Sequence, residues 1–238
     1  MKVQIDDKIA EFCYKIIREP LLYFSESDLQ QLLTEELRKI PLFKKLYSTD
    51  VNRGPGSETK YETSLLHREY AGGNKRRIDI VIFNDKEVEN IDNPNLEIGN
   101  SYANIDYGFE LGTEKTSDTL EHLYRDIDKL IECRKNGYII HFFKDNTVAS
   151  TGTKRREKTD NKIKDSFKKV FEEKMHCYIP YLENKNKIKI IAISLKVYRP
   201  NEKIIGKCQI YSQYSRNFEE INISSRKNIL QRIKNNLK

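Results

Sequence analysis

The sequence predicts an α/β protein folded as one domain, and three observations carry that prediction. Residues 105–111 read as a strand, residues 118–131 as an amphipathic helix and residues 138–143 as a buried strand, with Gly137 ending the helix. A strand–helix–strand unit of this kind demands a right-handed crossover and a parallel pair. Residues 61–70 and 75–83 carry strand chemistry on either side of Ala71-Gly72-Gly73-Asn74, a hairpin turn. Two amphipathic helices precede these strands. No internal repeat or linker divides the 238 residues, a length that suits one large domain.

In chain order, Ile5, Ile9, Phe12, Cys13, Ile16 and Ile17 fall at helical spacing before Pro20. The second helix has Ser25 as N-cap, Asp28 at N3 in a capping-box-like arrangement and Pro41 as its terminator. Leu29, Leu32, Leu33, Leu37 and Ile40 form its buried stripe. At about 100° per residue, Glu36 falls inside that stripe, Glu26 on its flank and Glu35 on the far side. An acid on the apolar face needs a partner: Glu36 belongs to a site or pairs with a basic side chain. Glu26 is equally explained as a favourable charge in the first helical turn. Residues 41–60 read as a loop around Asn52-Arg53-Gly54-Pro55-Gly56-Ser57.

Lys75, Arg76 and Arg77 open the second strand, where they either meet phosphates or blunt a sheet edge. Residues 84–104 form a polar insertion with a short strand near 96–98. The helix after the third strand is capped by Asp118 and Glu121 and buries Leu120, Leu123, Ile127, Leu130 and Ile131. Residues 151–169 hold Lys154, Arg155, Arg156, Lys158, Lys162, Lys164, Lys168 and Lys169. This run fits a nucleic-acid backbone or a solvated helical face. Residues 188–198 form a strand pairing with 204–214 across Pro200-Asn201-Glu202, and a helix over 224–237 follows.

A net charge of +7 favours a polyanionic partner, with a well-solvated lysine-rich surface as the other reading. Four scattered cysteines without a Cys-x-x-Cys pair read as reduced thiols of a cytoplasmic protein. The first residues lack the apolar core of a signal peptide, and no apolar run approaches a membrane span. Gly72-Gly73 lacks the following Lys-Ser/Thr of a phosphate-binding loop, which argues against an NTPase. No Ser or Cys nucleophile has a positioned His.

The chemistry concentrates in three acids: Glu69, Asp79 and Glu110. Asp79 is followed by Ile80, Val81, Ile82 and Phe83, and Glu110 lies between Phe109 and Leu111. Desolvating a carboxylate in such a strand costs several kcal/mol unless something binds it. Two strand-borne acids therefore suggest a divalent-metal site of oxygen ligands. The competing reading for Asp79 is an ion pair with Arg77, which shares its strand face, and for Glu110 a bridge to Lys or Arg. Glu69 shares a face with His67 and is an auxiliary acid or a structural one. His122, His141 and His176 share no ligand spacing, and His141 reads as a core residue.

An acid on a first helix, Asp in a second strand and Glu closing a third strand before a helix resemble the PD-(D/E)XK nuclease superfamily. The segment Glu26-Ser27-Asp28-Leu29-Gln30-Gln31-Leu32-Leu33 is similar to the acid-x-x-Leu-x-x-Leu-Leu opening of archaeal Holliday-junction resolvases. The resemblance covers residues 26–143. It implies a mixed sheet flanked by helices in the order α-β-β-β-α-β, with a core over about 22–145 and residues 150–238 as elaboration. It also implies Mg²⁺ or Mn²⁺ held by Asp79, Glu110 and the Leu111 carbonyl, with Glu26 holding a second ion or its water shell. The motif lysine would stand at position 112, which is Gly112, and Lys115 is its named substitute. Ile78 stands in place of the motif proline.

The implied function is a metal-dependent nuclease acting on DNA, in restriction, repair, recombination or phage defence. Lys75, Arg76, Arg77, Lys154, Arg155 and Arg156 would contact the nucleic acid, with a homodimer or a targeting protein as further partners. Two other classes stay open: a degenerate nuclease fold that binds DNA or protein without cutting, and an unrelated α/β protein with structural acids.

Overall fold

Ile5, Ile9, Phe12, Cys13, Ile16 and Ile17 are all buried along one face of helix α1 (Lys2–Arg18), as their spacing requires. The computed structural model describes residues 1–19, 22–52, 58–71, 77–88, 105–115, 121–132, 136–145, 188–196, 208–212, 217–221, 230, 231 and 234. Helix α2 (Glu26–Leu37) starts with the expected capping box. The Asp28 amide N–H donates to Ser25 Oγ, and the Ser25 amide N–H donates to Asp28 Oδ2.

A 3₁₀ turn at Pro41–Lys44 leads into strand β1 (Tyr47–Asn52), antiparallel to β2 (Glu58–Thr63). This hairpin occupies part of the segment expected to be loop. Tyr47, Thr49 and Val51 alternate with Ser48, Asp50 and Asn52, a weak period-2 pattern beside Gly54-Pro55-Gly56, and the pairing with β2 is what makes it a strand.

The main sheet holds β3 (Leu66–Ala71), β4 (Arg77–Phe83), β5 (Ile105–Lys115), β6 (Asn136–Asp145) and β7 (Ile188–Lys196), side by side in that order. β4 is antiparallel to β3 and β5, while β6 is parallel to β5 and β7. The sheet is mixed, and its direction changes at the central strand β5. A short helix, α3 (Asp85–Val88), follows β4, and α4 (Glu121–Glu132) makes the crossover from β5 to β6.

β7 departs from expectation. It joins β6 as the fifth strand, so the sheet extends past residue 145. It also lies against β8 (Cys208–Ser212), with no ladder between the two among the described residues, and β8 pairs with β9 (Asn217–Ile221). A central apolar run such as Ile190-Ile191-Ala192-Ile193 suits a parallel strand covered on both faces better than an outer hairpin. The expected short strand at 96–98, the basic run 151–169 and nearly all of the final helix lie outside the described residues.

Helices cover both faces of the sheet. On one, Phe12 of α1 meets Phe142 edge-on at 5.7 Å, and Phe109 stacks on Tyr138 at 5.3 Å. On the other, α4 rests Leu130 over Gly108 and Gly137, where an added Cβ would lie 2.7 Å from the leucine in both cases. Asp6 of α1 accepts from Tyr138 Oη at 2.7 Å and from the buried Lys189 Nζ at 2.9 Å. Among the described residues, no helix is long and apolar enough to cross a membrane.

Candidate metal centre

The β4–β5 ladder ends at Ile80 opposite Phe109. One step further in that register lie Asp79 and Glu110, so the two strand-borne acids stand beside each other on neighbouring strands. There the Asp79 carboxylate takes over from the ladder: the Leu111 amide N–H donates to Asp79 Oδ2 at 2.7 Å. This peptide is the one the resemblance singles out, although the observed contact is through its N–H. Asp79 is 7% exposed, and burial raises its pKa to about 7 against the opposing Leu111 hydrogen bond. The competing ion pair with Arg77 gains no support, since that side chain is exposed and Lys129 is the cation acting on Asp79 among the described residues.

Glu110 is 1% exposed. Lys129 Nζ donates to its Oε2 at 2.9 Å, while Oε1 has no hydrogen-bond partner among the described residues. A buried carboxylate oxygen left without a donor is costly and calls for a ligand. Burial, reinforced by the charges of Asp126 and Asp79, holds Glu110 well above the usual carboxylate range. Burial alone would lower Lys129, but facing Glu110 and Asp126 outweighs it and keeps the ammonium charged.

Asp126 completes the cluster from α4. Its Oδ1 lies 3.1 Å from Lys129 Nζ, and its Oδ2 lies 2.8 Å from His141 Nε2 and 3.6 Å from His122 Nε2. Burial works against its ionisation, but the hydrogen bond and charge of His141 win and hold it below the ordinary value. Glu26, half-buried at the first turn of α2, has its pKa raised by burial, with His122 opposing that shift and Asp126 adding to it. Five elements thus bring four carboxylates, two imidazoles and one ammonium together.

Of the residues singled out in the sequence, Glu26, Asp79, Glu110 and Leu111 meet here. Lys115 closes β5 opposite Lys144, five residues beyond Glu110, and its side chain lies outside the described residues. The space a residue at 112 would need is taken by His141, whose ring atoms lie 2.6–2.7 Å from where a Cβ on Gly112 would be. Arg77 is exposed at the start of β4; Lys75, Arg76, Lys154, Arg155, Arg156 and His176 lie outside the described residues. Glu36 is not in the site: it pairs with Lys39. Glu69, at φ 52°, accepts from Gln30 Nε2 at 2.8 Å, which ties β3 to α2.

The cluster has four further members, His122, Asp126, Lys129 and His141: Asp126 and Lys129 escaped the sequence reading, and the two histidines were set aside there for want of ligand spacing. His122, Asp126 and Lys129 recur at i, i+4 and i+7 beside Leu130, which is one helix face. That periodicity was the available signal. His141 is fully buried, as a core residue would be, but it is also a hydrogen-bonded member of the site.

Fold and site together define an α/β protein with a buried carboxylate–imidazole cluster on the central strands of a mixed sheet. Comparison with protein families, with curated proteins and with solved structures returns no match.

Proposed function

We propose that the chain is a metal-dependent nuclease that hydrolyses phosphodiester bonds of DNA. The observation that carries this reading is the adjacent buried pair Asp79 and Glu110, with Glu110 Oε1 lacking a hydrogen-bond partner among the described residues. Oxygen donors on neighbouring strands, with Glu26 facing them from α2, suit a hard dication such as Mg²⁺ or Mn²⁺. When bound, such an ion supplies an acidified water and offsets charge on the scissile phosphate.

The residues of the chain divide the remaining work. The Leu111 amide fixes one oxygen of Asp79, which leaves the other for a ligand. Lys129, held between Glu110 and Asp126, provides the fixed positive charge that the nuclease motif would place at Gly112. Its ammonium can orient a nucleophilic water or stabilise a phosphoryl oxygen. In this reading DNA is the partner, contacted by the exposed Arg77 and by the basic run near Lys154, Arg155 and Arg156. A second copy of the chain would serve cleavage of both strands, and a targeting protein would deliver it.

The test is cleavage of linear, circular, single-stranded and branched DNA with Mg²⁺, Mn²⁺ or EDTA. Wild type is expected to cut only with metal, and Asp79→Ala to lose activity. Lys129→Met should lower kcat by about 100-fold or more, the usual loss on removing one transition-state donor. Folded wild type that binds DNA but never cuts it would overturn the nuclease in favour of a binding module.

A further inference from the structure

Beyond the carboxylate pair, we infer that His122, Asp126 and His141 form a second, chemically different cation site that takes a borderline transition-metal dication such as Zn²⁺. Nothing in the proposed hydrolysis requires it, and it stands or falls separately from that reading. One ligand atom from each of the three residues lies within 4.8 Å of the others. His122 and Asp126 are one helical turn apart on α4, and His141 reaches them from β6 across the α4–sheet interface.

Two of the three ligand–ligand distances are close to what such an ion needs. Tetrahedral ligands at about 2.0–2.1 Å from a metal sit roughly 3.3 Å from one another. Here Asp126 Oδ2 lies 3.6 Å from His122 Nε2 and 2.8 Å from His141 Nε2. Admitting an ion therefore requires the His141 ring and the carboxylate to separate by roughly half an ångström. Asp126 is oriented for this task, because Lys129 engages Oδ1 and leaves Oδ2 turned toward the two imidazoles. The Asp126–Lys129 contact is the outer-shell support that ligating carboxylates commonly have.

Gly112 is a second, independent sign that the imidazole is placed deliberately. A side chain there would collide with all three nearest ring atoms of His141, so the chain keeps a glycine on the central strand where the ring lies. The donor set separates this site from its neighbour. Two imidazoles and one carboxylate favour Zn²⁺, Co²⁺ or Ni²⁺ over Mg²⁺, whereas Asp79 and Glu110 offer oxygen alone. Three protein ligands leave a fourth position, and Glu26, which interacts electrostatically with all three residues, is the neighbouring carboxylate from another element.

The experiment uses full-length protein stripped with chelator and titrated with Co²⁺ as a spectroscopic probe, then with Zn²⁺ in competition. Wild type is expected to give the visible absorption of a four-coordinate Co²⁺ site, displaced by Zn²⁺ and not by equimolar Mg²⁺. His122 is partly exposed, so His122→Ala should fold and weaken Co²⁺ binding by on the order of 100-fold or more, above the cost of an outer-shell change. Asp79→Asn should leave the Co²⁺ spectrum in place, which separates this site from the carboxylate pair whatever happens to DNA cleavage. Circular dichroism of each variant establishes folding. Equal Co²⁺ binding by wild type and His122→Ala would overturn the site. So would a spectrum that depends on Asp79 and not on His122, or no Co²⁺ binding by folded wild type.

Discussion

Gly112 and His141 explain each other. A Cβ on residue 112 would stand 2.6 Å from a fully buried imidazole, too close for any real contact. Gly112→Ala should therefore push the ring off Asp126 and cost about 1–3 kcal/mol, the usual range for overpacking a filled site. Urea unfolding measures it, and a variant as stable as wild type would mean that the ring moves aside freely. For the same reason, Gly112→Lys, which would supply the lysine of the motif the sequence resembles, should lower stability, and in the proposed nuclease it should not raise cleavage. Asp79 and Glu110 were legible in the sequence because each is an acid flanked by apolar strand residues, an exception that local physics must explain. Asp126 and Lys129 were not legible, because α4 carries Glu121, Arg125, Asp126, Asp128, Lys129 and Glu132, and charge on a helix is ordinary. Their spacing with Leu130 is a faint sign, and the packing of α4 on β5 and β6 is what distinguishes the charges that turn inward.

Among the elements, α2 was the most readable, since its start is fixed by a local device: Ser25 and Asp28 satisfy each other's backbone donors. Strands whose identity depends on a distant partner were less so. β1 alternates only weakly, with Thr49 between Tyr47 and Val51, and its pairing with β2 is what defines it; the apolar run of β7 marks a strand but not the ladder it joins, so 204–214 was the expected partner and β6 was not. The docking of α1 rests on a polar contact that no local pattern marks. Asp6 accepts from Tyr138 and Lys189, residues 132 and 183 positions away. Asp6→Ala should destabilise the fold by about 3 kcal/mol, since it strips the carboxylate from a lysine that is 4% exposed. Asp6→Asn, which can still accept the Tyr138 hydrogen bond, should lose less. Chemical denaturation gives both values, and a loss below about 1 kcal/mol for Asp6→Ala would show the contact to be incidental.

At the scale of the whole molecule, the sheet turns from antiparallel to parallel at β5, and that strand carries Glu110, Leu111 and Gly112. The arrangement gathers side chains from residue 26 to residue 141 around one buried cluster. Folding these carboxylates together has a cost that depends on pH. Asp79 moves from an ordinary value of 3.8 to about 7 because it is buried, so between those values the unfolded chain has released a proton that the folded chain retains. The contribution of Asp79 to the stability of the metal-free protein should accordingly be greatest below about pH 4. It should fall as pH rises toward 7, by up to about 4 kcal/mol for a shift of three pKa units. Glu110, raised in the same direction, extends the decline to higher pH. A divalent ion bound to the ionised carboxylates reverses that loss by mass action.

Thermal unfolding of wild type and Asp79→Asn across pH 4 to 8, in EDTA and in excess Mg²⁺ or Mn²⁺, is thus the most direct test of the proposed carboxylate metal site. The expected result is a wild-type Tm that falls with pH in EDTA and recovers with metal. Asp79→Asn should show a shallower fall and little response to metal. A wild-type Tm unmoved by metal, or an Asp79→Asn response equal to that of wild type, would contradict the site.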